Sequence, residues 1–210
     1  LYLELVGIAG IASGIYYYHP LKHQLVRCAD AMAHAGAYFG CHFIGKKAAI
    51  EPIYKNNIEE VLNFEAGHMQ GVLDEVLPGF GLGIAAQELR PEVKAQLDVA
   101  SEDYYLTSCR IDSFSQREVL AVDVLVQAMP GKMADLPGGM YRYRDGALEP
   151  LCETIIEKKH VIAINQAVYD SASFGIALLS QGRRGWAEYV TLGRQLQRLQ
   201  SNDLLMGLMS

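Results

Sequence analysis

The chain of 210 residues is short of the features that mark several protein classes. Its four cysteines, Cys28, Cys41, Cys109 and Cys152, are too sparse for the disulfide framework of a small secreted domain. None stands in CxxC spacing, so neither a zinc ribbon nor a thioredoxin motif is present. No HExxH motif accompanies the histidines, and His34 and His42 are assigned no nearby carboxylate ligands, so no metal site is predicted. There is no excess of cations. Lys plus Arg number 18 against 24 Asp plus Glu, a net charge of -6. Nucleic-acid affinity rests on a cationic face, so no nucleic-acid partner is expected. No segment reaches the roughly 18–20 apolar residues that span a bilayer. The most apolar stretch, Leu1 to Ile15, is interrupted by Glu4 and lacks the basic flank of a signal peptide. A cytoplasmic protein with no membrane partner is expected. Half the chain is hydrophobic and a fifth is charged, the balance of a globular protein rather than of a disordered tail or a rod. The sequence opens at Leu1 in strand-like residues, and a piece of a longer polypeptide is expected.

What is there reads as short strands and two helices. Leu1–Val6 alternates, Ile15–Tyr18 is aromatic and β-branched, and Gln24–Cys28 follows a Pro20 turn, which together predict a hairpin. Asp30–Gly40, rich in Ala and Gly, is read as a short helix. Cys41–Ile44 is read as a strand, and Ala48–Tyr54 as a loop. Asn57–Leu77 is the clearest helix, with an apolar stripe from Ile58 to Leu77. Asn57 and Glu60 have the form of a capping box, and Pro78-Gly79 ends the helix. Gly81–Ala86 is read as a buried turn or strand. Pro91 opens a further helical segment. Tyr104–Ile111, Val119–Ala128 and Val161–Ile164 are read as strands. Gly139–Tyr143 and Ala147–Cys152 form a second hairpin around Asp145-Gly146. Arg184–Gln200 is the second amphipathic helix, entered through the basic pair Arg183-Arg184.

The order of elements recurs. A strand, a Gly-led tyrosine hairpin, a short strand and a Gly-bearing helix occur twice, with the hairpin glycines Gly14 and Gly139 125 residues apart and the helix glycines Gly67 and Gly193 126 apart. A duplicated unit, divided into residues 1–118 and 119–210, is the reading. The fold class is α+β, a mixed or antiparallel sheet packed against helices in two pseudo-repeated halves. A glycine in mid-helix costs about 1 kcal/mol against Ala. Close helix–helix packing offsets that cost, which suits the seam of a homodimer or pseudo-dimer.

Several motifs resemble the nitroreductase-like FMN-dependent oxidase family, in its azoline-oxidase branch. They are Leu1-Tyr2-Leu3-Glu4 followed by Gly14-Ile15-Tyr16-Tyr17-Tyr18-His19-Pro20, Ala48–Tyr54 before the long helix, Glu65-Ala66-Gly67-His68 within it and Gly81-Leu82-Gly83 after it. Tyr189–Arg194 and Ser201-Asn202-Asp203-Leu204-Leu205 look like the later part of oxidase domains embedded in nonribosomal peptide synthetases. The resemblance implies a nitroreductase-like fold, an FMN cofactor and oxidation of a heterocycle or amino-acyl unit in natural-product biosynthesis. The rest of a larger synthetase would then be the partner.

Ring dehydrogenation needs a base for one proton and a flavin to accept a hydride. By family position Tyr54 is the candidate base. Ile53 stands where related enzymes carry a Lys, and Lys55 lies on the other side of the tyrosine. Gly83, Ile84 and Ala85 are the candidate flavin-contacting residues, although Ile84-Ala85-Ala86-Gln87 replaces the family's Gly-rich turn. The family's phosphate ligands would lie upstream of Leu1. The alternative is a non-catalytic scaffold or docking fragment that keeps the fold and has lost the flavin.

Overall fold

The computed structural model describes residues 1–54, 56–161, 163–182 and 185–203. Arg183-Arg184, Lys55 and Leu204-Leu205, singled out above, lie outside the described residues. The chain forms two compact units. The first gathers Leu1–Leu120 with the helix α4 (Trp186–Arg198), and the second comprises Ala121–Gly182 and the described residues from Leu199 on. α4 is thus grouped with the first unit, whereas the division at 118/119 had placed it with the second.

Unit 1 is a six-stranded sheet in the order β3-β2-β1-β4-β6-β5. Its strands are β1 (Tyr2–Val6), β2 (Gly14–His19), β3 (Gln24–Ala29), β4 (Tyr38–Gly45), β5 (Leu82–Glu88) and β6 (Tyr104–Ser113). Every pairing is antiparallel. Side chains alternate between the faces, and the two faces have separate cores. On one face Cys41, Phe43, Leu106, Cys109 and Ile111 pack under Leu62 and Ala66 of α2 (Ile58–Val76). On the other, Ile15 packs with Val93 and Leu97 of the segment that follows β5. A single helical turn, α1 (Lys47–Ile50), links β4 to α2.

The helix α2 matches its predicted span, but its start differs. Asn57 sits at φ 57°, ψ 34° and makes no side-chain cap. A capping box needs an extended N-cap residue, so this left-handed backbone removes it. Glu59 and Glu60 in the first turn still face the positive end of the helix dipole. The predicted helix at Asp30–Gly40 is absent. Residues 30–37 are irregular and Tyr38 already begins β4, with Tyr38, Phe39 and Gly40 paired to β1 and the Met32 N–H held by the Glu4 carboxylate at 2.7 Å. Residues 91–96 form a 3-10 helix.

α2 and α4 cross at Gly67 and Gly193, and the contact is reciprocal. A Cβ at Gly67 would collide with the Val190 carbonyl and lie 2.9 Å from the Gly193 Cα. One at Gly193 would collide with the Phe64 carbonyl and lie 3.0 Å from the Gly67 Cα. Each glycine thus meets the carbonyl three residues before the other. The close packing expected of these glycines is made within one chain.

Unit 2 is a four-stranded antiparallel sheet in the order β10-β7-β8-β9. It comprises β7 (Val122–Ala128), β8 (Gly139–Arg144), β9 (Ala147–Cys152) and β10 (Phe174–Ser180), with a core around Val126, Ala128 and Tyr141. Asp145 and Gly146 both take positive φ in the hairpin turn, as a two-residue loop of this kind requires. The predicted strand at Val161–Ile164 gives way to a helical turn, α3 (Ala163–Gln166), and the Gln166 side chain closes it onto the Val161 carbonyl at 2.8 Å. The strand that pairs with β7 is β10, further on.

Four strands of each sheet correspond in order and register. Glu4 on β1 pairs Gly40 on β4, and Gln127 on β7 pairs Gly175 on β10. Leu5 pairs Gly14 and Ala128 pairs Gly139. Each hairpin is irregular at the same step, between Ile15 and Tyr16 and between Met140 and Tyr141. The Tyr16 hydroxyl donates to the Ala12 carbonyl at 2.6 Å, and the Tyr141 hydroxyl to the Pro137 carbonyl at 2.7 Å.

Candidate functional site

The candidate residues from sequence fall at two places in unit 1. Tyr54 is half-buried at the end of the turn after α1, where its N–H bonds the Ile50 carbonyl at 3.0 Å. Gly83, Ile84 and Ala85 lie on β5, an edge strand. Among the described residues, no hydrogen bond or ring contact joins Tyr54 to β5. A Cβ at Gly83 would meet the Phe114 ring at 2.9 Å, so the glycine makes room for a neighbouring side chain. Ile84 packs in the core under α2. Ala85 is the residue skipped where β5 pairs β6, and it is exposed. A bulge on an edge strand leaves backbone groups without ladder partners, and Ala85 is the exposed residue at that bulge.

The densest chemistry lies on the face of the sheet opposite α2, and the sequence did not point to it. Glu4, fully buried on β1, is its centre. Oε1 accepts from the Met32 N–H at 2.7 Å and contacts His34 Nε2 at 3.0 Å. Oε2 contacts His42 Nε2 at 3.2 Å and Arg90 at 2.9 Å. Burial opposes ionisation of this carboxyl, but the bonds from His42, His34 and Met32 and the charge of Arg90 bring it down to about 2. An ionised carboxylate only accepts, so both imidazoles donate to it from Nε2. The Nδ1 of His42 meets the Tyr105 hydroxyl at 3.0 Å, and burial pushes that phenol up to about 12, so it donates. His34 is stacked on Tyr38, ring centroids 3.8 Å apart, and Arg90 lies 5.5 Å over the same Tyr38 ring. Tyr38 in turn donates to Glu88 at 3.0 Å. The carboxylate shared by His34 and His42 is therefore supplied from a strand some thirty residues away. The only sequence signal was Glu4 itself, an acid at a position whose period-2 neighbours are apolar.

A second ionic cluster ties α2 to α4. Arg194, 1% exposed, grips both carboxylate oxygens of Asp74 at 3.0 Å and reaches Glu118 at 2.7 Å. Arg198 bonds the same Asp74 at 2.9 Å and the Glu118 carbonyl at 2.8 Å. These buried, paired charges join α2 to α4, and removing one partner would leave another charge buried and unpaired. Cys41 and Cys109 are free, buried and paired across β4 and β6. Contact with Cys41, together with burial, pushes the Cys109 thiol well above its ordinary value, which makes it a poor nucleophile. No helix among the described residues is long and apolar enough to cross a membrane.

No protein-family model matches the chain, and no solved structure matches it. Curated proteins do. The chain is 48% identical over 210 residues, its whole length, to the indigoidine synthase of Streptomyces lavendulae. It is also 48% identical over 211 aligned positions to the indigoidine synthase of Dickeya dadantii (strain 3937). It spans 16% of the first protein and 14% of the second. From end to end, the chain is similar to one segment of two much longer indigoidine synthases.

Proposed function

We propose that this chain is part of an FMN-dependent oxidase domain of the nitroreductase-like kind. It would act on a heterocycle or amino-acyl unit within a longer nonribosomal peptide synthase related to the indigoidine synthases. The observation that carries the reading is similarity along the full chain to two such synthases at 48% identity. The matched strand order and registers of the two sheets support two pseudo-repeated halves, as expected for that family.

When bound, FMN supplies a two-electron acceptor for substrate oxidation. In this reading the Ala85 bulge would lie against the flavin ring. Tyr54 would take the substrate proton. The test is Tyr54→Phe in the full-length polypeptide, which keeps the ring and removes the hydroxyl. Retained yellow colour with turnover lowered by about 10²-fold or more supports the role. A yellow, fully active variant returns Tyr54 to packing.

A second reading, a scaffold half that has lost the flavin, is favoured by Phe114 filling the space at Gly83. It predicts a colourless full-length protein.

A further inference from the structure

The hub around Glu4 has a counterpart that lacks its charge. At the matched place on β7 stands Gln127, whose Oε1 accepts from the Ile156 N–H at 2.7 Å while its Nε2 donates to the Ile156 carbonyl at 3.3 Å. Glu4 does the same backbone work on Met32. Anchoring the segment that follows the hairpin therefore needs only a neutral amide. An ionised carboxylate buried at this position demands a further reason, because a buried charge is costly unless fully paired. In unit 1 the extra partners are two imidazoles and Arg90. His42 is saturated, with Nε2 on Glu4 and Nδ1 on Tyr105. His34 is not: Nε2 is held by Glu4, no hydrogen bond to Nδ1 is found among the described residues, and the side chain is 13% exposed. A carboxylate fixing one imidazole nitrogen, with the other left open towards solvent, is the arrangement that orients a general base.

We propose that Glu4 and His34 form a proton-transfer dyad, in which His34 takes a proton at Nδ1 from a heterocyclic or amino-acyl substrate, in a step separate from the one assigned to Tyr54, and Glu4 positions the ring. The substrate class rests on the oxidase reading, whereas the dyad rests on the geometry alone. In the step, the proton leaves a substrate C–H or N–H and its bonding pair stays with the substrate. His34 becomes an imidazolium with Nε2–H still on Glu4 Oε1, and it returns the proton to water. The charged and titratable groups around it are Glu4 on β1, Tyr38 and His42 on β4, Glu88 on β5, Arg90 and Glu92 after β5, and Tyr105 on β6. Of these only Glu4 touches the ring edge, and Tyr38 covers its face.

Two readouts in the full-length polypeptide separate the dyad from its substrate. The first needs no flavin: carbethoxylation by diethyl pyrocarbonate at one fixed pH, followed by mass spectrometry. The reagent attacks an imidazole nitrogen that carries no proton and makes no hydrogen bond, so His34 should be modified and His42, bonded at both nitrogens, should be spared. A His34 that resists the reagent as His42 does would overturn the dyad. The second is turnover. His34→Ala should keep its flavin and lose about 10²-fold or more in kcat, with partial rescue by added imidazole, and Glu4→Gln should move the acidic limb of the kcat/KM profile to lower pH. Undiminished turnover in His34→Ala overturns the proposal. An unaltered polypeptide with neither flavin nor oxidase turnover removes the substrate assignment and the oxidase reading, and the carbethoxylation of His34 still decides the dyad.

Discussion

The four strands around β1 and the four around β7 solve one local problem with different chemistry. In each, the residue opposite a glycine on the neighbouring strand reaches out to pin the segment after the hairpin. Gln127 does so with a neutral amide that both accepts from and donates to Ile156. Glu4 does so with a carboxylate, which can only accept and therefore draws in donors: His34, His42 and Arg90. The backbone requirement is shared, and the charge is not. What the sheet needs can be read from unit 2, and the charge that unit 1 adds goes beyond that need.

Exchanging the two chemistries breaks the comparison most severely. Gln127→Glu places a carboxylate against the Ile156 carbonyl with no cation described nearby. It should cost on the order of 3 kcal/mol or more at neutral pH, seen as a fall in the denaturant midpoint. A loss of a few tenths would mean that the two positions are not equivalent.

The reverse exchange is a matter of pH. The Glu4 carboxyl titrates near 2 in the folded chain, below its ordinary value of 4.5. Its contribution is therefore fully present above about pH 4.5 and is lost as pH falls towards 2, on the order of 3 kcal/mol in all. Glu4→Gln should remove that part of the acid dependence. Parallel stability–pH curves for the two proteins across this window would contradict the assignment.

The helix crossing should respond evenly. Gly67→Leu and Gly193→Leu each drive atoms into a backbone carbonyl of the other helix, so each should cost on the order of 2 kcal/mol or more. A large effect at one site only would show that the contact is not reciprocal.

The smallest test uses the paired tyrosines. Tyr16→Phe and Tyr141→Phe each remove one hydroxyl bond to a carbonyl four residues earlier, and each should lower stability by about 1 kcal/mol. Unequal losses would locate where the two hairpins diverge.

Local patterning made much of the fold legible. The stripe of α2, the hairpin at Asp145-Gly146 and the tight packing of Gly67 and Gly193 follow from period, turn chemistry and the absence of a side chain. Elements set by distant partners were misread. Asp30–Gly40 has helical composition, yet its last three residues pair with β1 as part of β4. The apolar run of β10 drew no attention because its pairing with β7 spans about fifty residues. The site shows the same limit. Tyr54 and Gly83–Ala85 came from positional resemblance, whereas the Glu4 hub assembles residues from 4 to 105 that no short motif could join. Arg194 is buried against Asp74, 120 residues earlier, and Glu118, partners that no local pattern links to it.

The central claim is that this chain belongs to a flavin-dependent oxidase domain, and flavin content tests it most directly. The full-length polypeptide, purified without added cofactor, should be yellow. Released flavin, identified as FMN by mass spectrometry, should approach one equivalent per oxidase domain. A full-length polypeptide that carries no flavin, and takes up none when FMN is supplied, would contradict the account.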